Sequence, residues 1–206
     1  AESLMGLHPN IQLLQGDCLE LMKSIPDGSV DMILCDLPYG TTACKWDVII
    51  PFEPLWAHYK RIIKKNGAIV LTASQPFTSH LVMSNPKWFR YEWIWDKVNL
   101  FTGHLNAHKQ PMKQHENICV FYADQPTYNQ QLRDGKPYSG RGCGTVEVYD
   151  VAPRNVGNKS GKACPASIVP LSPYGDSRGL HPTQKPVALM EYLIKTYTND
   201  GETVMD

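Results

Sequence analysis

The chain lacks most of the features that would set it apart from ordinary globular proteins. No apolar run approaches the roughly 18 to 20 residues a membrane span needs, and residues 1–10 hold no signal-like apolar stretch. The expectation is a soluble protein with no membrane partner. There is no C-x-x-C pair; the six cysteines stand at positions 18, 35, 44, 119, 143 and 164, several inside apolar segments where a reduced thiol packs as a small hydrophobe. That pattern argues against a secreted disulfide scaffold and for a reducing cytoplasm. Bulk charge is missing too: 20 Lys and Arg balance 20 Asp and Glu, so any nucleic-acid partner must be held by local positive surface. No internal repeat or low-complexity tract is visible. What is present is 206 residues, 42% of them apolar, enough for one sizeable core, either one domain or one domain with a long insertion.

Hydrophobic patterning predicts alternating strands and helices. Ile11–Leu14 reads as a short strand, and Asp17 opens a helix with Leu19, Met22 and Ile25 on one face, ended by Pro26-Asp27-Gly28. Val30–Cys35 is a compact apolar run suited to a strand buried on both faces of a parallel sheet. A helix runs from Pro51 through Lys65, with Phe52, Leu55, Tyr59, Ile62 and Ile63 facing a core and Asn66-Gly67 closing it; Ala68–Thr72 is the next buried strand. A shorter helix follows Pro76, then strands near Tyr91–Trp95 and Ile118–Tyr122. From Asp124 to Leu180 glycine, proline, serine and asparagine dominate and periodicity fades, the texture of a functional or disordered insertion. Periodicity returns at Pro186 with Leu189, Met190, Leu193, Ile194 and Tyr197, and Thr203-Val204-Met205 begins another strand. The fold class expected is α/β, a sheet with helices on both faces.

The densest chemical signal is Asp36-Leu37-Pro38-Tyr39, directly after the buried strand. In open α/β sheets ligands bind beyond the carboxyl ends of strands, where this tetrapeptide falls. The exocyclic nitrogen of adenine is a poor nucleophile because its lone pair is delocalised into the ring. Two acceptors aimed at its hydrogens, the Asp36 carboxylate and a backbone carbonyl beside Pro38, would draw it toward tetrahedral geometry. Pro38 fixes the local backbone and Tyr39 offers a ring for stacking. An ordinary turn is the competing explanation. A second element, His181-Pro182-Thr183-Gln184-Lys185-Pro186, precedes the last helix, whose free N–H groups and positive dipole end suit a carboxylate. Thr183 and Lys185 add a hydroxyl and a charge; a capped helix start with a solvated lysine is the plainer alternative. Asp17 with Glu20 is likewise sufficient as a capping box.

These two motifs resemble those of the amino-methylating DNA methyltransferases that use S-adenosylmethionine, whose tetrapeptide is Asp/Asn/Ser-Pro-Pro-Tyr/Phe/Trp; Leu37 stands here where proline is usual. The resemblance implies a Rossmann-like methyltransferase sheet, with Asp36, Pro38 and Tyr39 as catalytic residues. It implies that Asp17, Cys18, Asp36, His181, Pro182, Thr183, Gln184 and Lys185 line the cofactor site, and that Trp93, Trp95, Lys97 and His115-Glu116-Asn117 belong to later core segments, where packing and sheet-edge hydrogen bonding are the expected roles. The tetrapeptide precedes the cofactor-side element, the permuted order called the beta class. In that class a Gly-rich F-x-G-x-G loop follows the strand beginning at Thr203, and the expectation is a fragment or trimmed copy that stops before it.

The implied organisation is a catalytic core over 1–123, a target-recognition insertion over 124–180 and the cofactor-side element over 181–206. Within the insertion Arg133, Lys136, Arg141, Arg154, Lys159, Lys162 and Arg178 are candidates for double-stranded DNA, each with an ordinary solvated role as the alternative. Deleting the insertion is expected to weaken DNA binding and leave the core folded. The implied reaction is methyl transfer to the amino group of a flipped adenine by a bacterial or phage-encoded enzyme, acting as monomer or homodimer. Cytosine N4 methylation and an inactive DNA-binding or partner subunit are the alternatives. No Cys-centred nucleophile motif is evident. His104, His108 and His115 have a spacing that suggests metal, but Gly103 argues against a helix there and no thiolate or carboxylate completes a set, so no metal is expected.

Overall fold

The computed structural model of the chain describes residues 10–42, 44, 45, 47–137, 160–173 and 184–206. In chain order its elements are α1 (Cys18–Leu21), β1 (Val30–Cys35), α2 (Phe52–Ile62), β2 (Ile63–Ala73), α3 (Phe77–Ser84), β3 (Phe89–Asp96), β4 (His115–Phe121), β5 (Arg133–Asp134), β6 (Lys162–Ala163), β7 (Ile168–Pro170), α4 (Val187–Tyr197) and β8 (Val204–Met205). Six strands form one sheet in the order β7-β3-β4-β2-β1-β8. The β1–β2, β1–β8 and β3–β7 pairs are parallel, whereas β4 runs antiparallel to both β2 and β3. Five strands therefore point one way, with β4 alone reversed. The short β5 and β6 pair separately.

Side chains alternate across the pleat, so each strand feeds two cores. Ile33, Ile69, Leu71, Cys119 and Phe121 pack on one face with Leu55, Trp56 and Tyr59 of α2 and Phe77 and Leu81 of α3. Met32, Leu34, Ala68, Val70, Trp93, Trp95, Ile118 and Val120 pack on the other with Leu189, Leu193 and Tyr197 of α4. This is the expected α/β sheet with helices on both faces. Tyr197 ties α4 to β3 by accepting from Trp93 Nε1 at 2.7 Å and meeting the Tyr91 hydroxyl at 2.9 Å.

Local structure departs from expectation at three points. Residues 11–14 form no strand; Ile11, Leu13 and Leu14 are exposed, with no neighbouring strand to pair with among the described residues. Helix α2 stops at Ile62, and Ile63 already pairs with Val30; the next pair is Met32 with Ala68, so Lys64–Gly67 bulges out of β2. Gly67 belongs there because an added Cβ would lie 2.7 Å from the Asp31 carbonyl oxygen and from Ile63. The 124–180 stretch is not wholly without elements: β7 is an edge strand of the main sheet, and Asn129 donates from Nδ2 to the Thr198 carbonyl at 2.8 Å, capping the end of α4. Removing it would take Val169 from its pairing with Trp95, so part of the stretch belongs to the sheet itself. Among the described residues no helix is long and apolar enough to cross a membrane.

Candidate active site

Four alternating rows on the α4 face carry the same pattern toward one end of the sheet. Met32 and Leu34 lead to Asp36; Ala68 and Val70 lead to Thr72; Val120 and Ile118 lead to Glu116; Trp93 and Trp95 lead to Lys97. Register brings the row ends together, because Cys35 pairs with Leu71, Thr72 with Ile118, and Trp95 with Glu116. The reversed strand β4 contributes its beginning where its neighbours contribute their ends. The result is a polar cluster beyond the carboxyl ends of the parallel strands.

Asp36 is the hub of that cluster. The Thr72 hydroxyl donates to its Oδ1, the Tyr39 hydroxyl lies 2.8 Å from Oδ1 and 2.9 Å from Thr72 Oγ1, and Lys185 Nζ donates to Oδ2 at 2.8 Å. Lys185 also lies 3.2 Å from Glu116 Oε2, and Glu116 Oε1 accepts from Lys97 at 2.5 Å. Two carboxylates and two ammonium groups thus neutralise one another at a half-dry surface. The Lys185–Glu116 approach is an ion contact without hydrogen-bond alignment, and Glu116 Oε2 remains a buried acceptor with no hydrogen bond. The plainer expectation of a solvated Lys185 is overturned: its side chain is only 10% exposed. Gln184 adjoins it in the chain, while His181, Pro182 and Thr183 lie outside the described residues.

Tyr39 stacks on Phe77 with ring centroids 5.2 Å apart, and Lys185 Nζ stands 5.6 Å over its ring. Burial, then the charges of Asp36 and Glu116, push the phenol far above its ordinary pKa, so it remains a neutral hydroxyl. Leu37, the departure from the usual proline, is 5% exposed and packs into the α2–α3 core, so its side chain anchors the tetrapeptide from below. Pro38 is half-buried between them. The chain then turns through Gly40 at φ +67, and Asp47 collects the N–H groups of Gly40, Thr41 and Thr42 at 2.7–2.9 Å. The Thr42 hydroxyl and these backbone donors hold the Asp47 carboxyl down to about 2. Cys35, just before the hub, is pushed up to about 12 by burial and the Asp206 carboxylate, which leaves it a thiol rather than a nucleophile.

Asp17 caps α1 by accepting from Leu19 N at 2.8 Å, but Glu20 pairs with Lys23 and does not close a capping box. Asp17 and Cys18 also line a hollow of about 250 Å³ walled by Leu19, Val48, Ile49, Ile50 and Pro51. Its acid-and-aliphatic lining suits a flat amino-bearing ring. Helix α4 starts at Pro186 with no side-chain cap, and its first carbonyl bonds go to Leu189 and Met190, leaving Val187 and Ala188 N–H outside the helix ladder. Arg133 donates to the Cys164 carbonyl and Lys162 pairs with Asp134, both holding the β5–β6 ladder, and Lys136 is exposed nearby. Arg141, Arg154, Lys159 and Arg178 lie outside the described residues. Among the described residues no His, Cys, Asp and Glu group is arranged to hold a metal ion. Sequence reasoning assigned Glu116 and Lys97 to structural edges and passed over Thr72 and Asp47; the signal for three of them was a polar residue ending an alternating apolar row.

A mixed α/β sheet with one reversed strand and a polar cluster at its carboxyl edge defines a Rossmann-like methyltransferase fold. Residues 30–206 match the N6/N4 family model described as DNA methylase, and the chain belongs to that family. It is 27% identical over 212 residues to the DNA adenine methyltransferase YhdJ of Escherichia coli (strain K12), covering 94% of this chain and 69% of YhdJ. It is 23% identical to the type II methyltransferase M.HpaI of Haemophilus parainfluenzae, covering 95% of this chain but 62% of that one. The solved M1.HpyAVI–SAM complex is similar in fold, with a TM-score of 0.57 at 22% identity, covering 94% of this chain and 80% of that one.

Proposed function

We propose that the protein methylates the exocyclic amino group of adenine in double-stranded DNA, using S-adenosylmethionine. The observation that carries this reading is Asp36, held at a strand end by Thr72, Tyr39 and Lys185 within a family whose members are DNA methylases. The names of YhdJ and of the M1.HpyAVI–SAM complex support adenine and the cofactor. The Asp17–Cys18 hollow fits the cofactor's adenine, and the uncapped start of α4, with Gln184 and Lys185 before it, fits its carboxylate. His181, Pro182 and Thr183 belong to the same proposed element. Bound there, S-adenosylmethionine supplies an electrophilic methyl: a nitrogen–carbon bond forms as the carbon–sulfur bond breaks, its electrons remaining on sulfur.

The protein's own contribution is orientation and charge. Asp36 Oδ2 retains a free lone pair for one amino hydrogen, and a carbonyl beside Pro38 takes the other. As the amino group engages Asp36, Lys185 shifts toward Glu116 Oε2, the buried acceptor that lacks a hydrogen bond. Asp36 then accepts the proton released from nitrogen after transfer. Tyr39, neutral and braced by Phe77, holds the ring plane. The 124–180 region is the proposed target-recognition segment, with its exposed Arg133 and Lys136 and with Lys162, Arg141, Arg154, Lys159 and Arg178 as DNA-facing candidates. Incubating the purified protein with labelled cofactor and unmethylated DNA, followed by nucleoside analysis, tests the reading. N6-methyladenine is the expected product; N4-methylcytosine would move the assignment to cytosine, and no incorporation would overturn it.

A further inference from the structure

Between β3 and β4 the chain makes an excursion, residues 97–114, far longer than the two to five residues usual for a hairpin. It leaves the sheet at the end that carries Asp36, since Asp96 pairs with His115 and Trp95 with Glu116. Its base is braced. Lys97 N–H donates to the Gln114 carbonyl at 2.9 Å, and Thr102 and Lys113 exchange backbone hydrogen bonds at 2.8 and 2.9 Å. Val98, a β-branched residue, is held at φ +56 with its N–H on Asp96 Oδ1, which also accepts from Gln114 Nε2 at 2.8 Å. Such a conformation persists only where its surroundings over-determine it.

The far end is bare. Every residue from Thr102 to Met112 is exposed, and Leu105 is 91% exposed on a 3-10 turn, His104–Asn106, that begins at left-handed Gly103. The arm contains Lys97, Lys109, Lys113, His104 and His108 and no acid, and its amides include Asn106 and Gln110. The large apolar side chains exposed on the arm are Leu105 and, less so, Met112 at 39%, too few for the contiguous apolar core a protein interface needs. Lys97 is tied to Glu116 and Lys113 to Ser74, so Lys109 is the arm's exposed lysine. The tip suits a duplex: an exposed ammonium for a phosphate, amides for base edges, and in Leu105 a protruding apolar side chain that can enter a base step.

We propose that residues 97–114 form a DNA-contacting wedge arm, in which Leu105 enters the stack at the position the target base vacates and Lys109 contacts the backbone. The inference rests on the reading that duplex DNA with an extruded base is the substrate. After the methylated word is mapped, duplexes carrying it are made fully paired and with an abasic site opposite the target base, which lowers the cost of extrusion. Leu105→Ala is expected to lose about tenfold or more in kcat on the paired duplex while staying within about twofold of the parent on the abasic one, and Leu105→Phe to restore the paired rate. Equal loss on both duplexes, or none on either, overturns the wedge. A change of sedimentation in Leu105→Ala together with equal loss would make the arm a contact with a second copy. A parent inactive on both duplexes would instead sink the proposed function.

Discussion

At the scale of single residues, Lys185 separates two accounts of the site. If it served only the cofactor's carboxylate, its loss would raise the cofactor KM and spare kcat. The ion pair with Asp36 at 2.8 Å and the approach to Glu116 give it another task, holding the carboxylate where the amino group must meet it. Lys185→Met is therefore expected to lower kcat by about tenfold or more even at saturating cofactor, beyond any rise in cofactor KM, as steady-state kinetics would show. Asp36→Ala removes the acceptor itself and is expected to abolish transfer, by at least about a hundredfold, while calorimetry finds cofactor affinity within a few-fold of the parent. Retained transfer would take Asp36 out of the mechanism. Leu37 shows why the second position tolerates an aliphatic residue: its side chain is buried in the α2–α3 core, so packing replaces the stiffness of a proline ring.

At the scale of elements, the turn after Tyr39 is fixed by one carboxylate, which makes it sensitive to acid. Asp47 binds three backbone N–H groups, and its folded pKa of about 2 lies below the ordinary carboxylate value of roughly 3.9. A depressed folded pKa contributes stability that is present above the unfolded value and lost as pH falls through the folded one. Asp47→Asn should therefore be less stable than the parent at pH 6, with the gap in thermal midpoint narrowing between about pH 4 and pH 2; a gap independent of pH would remove the carboxylate's role. The same elements show what sequence could and could not reveal. Helices α2, α3 and α4 and the buried strands were legible because an amphipathic face or a continuous apolar run is a local pattern. The boundary at Ile62 was not, because Ile63 joins the sheet through pairing with Val30, a partner 33 positions away. Ile11–Leu14 had strand-like residues without a strand to pair with among the described residues. The tetrapeptide was readable as a motif, but the union of Asp36 with Thr72, Glu116 and Lys185 depends on register between strands and on the return of the chain 149 residues later.

At the scale of the whole molecule, zero net charge makes salt dependence a count of local contacts. A protein with a large positive field gains affinity from every phosphate in reach, so removing one lysine changes little in the pattern. Here each contact must be made by a placed side chain, and affinity should fall with salt at about 0.9 in log–log slope for each phosphate neutralised. Lys109 stands on the exposed arm at the catalytic end, whereas Lys64 sits in the bulge at the other end of β1 and β2, paired with Asp31 at 2.6 Å. Lys109→Ala is expected to reduce the magnitude of the slope by about one on any duplex, and Lys64→Ala to leave it unchanged. Fluorescence anisotropy titrations on a labelled duplex over a range of salt concentrations supply both slopes. Equal slopes for the parent and both variants would mean that DNA does not reach the arm, and would return the binding face to the 124–180 region alone.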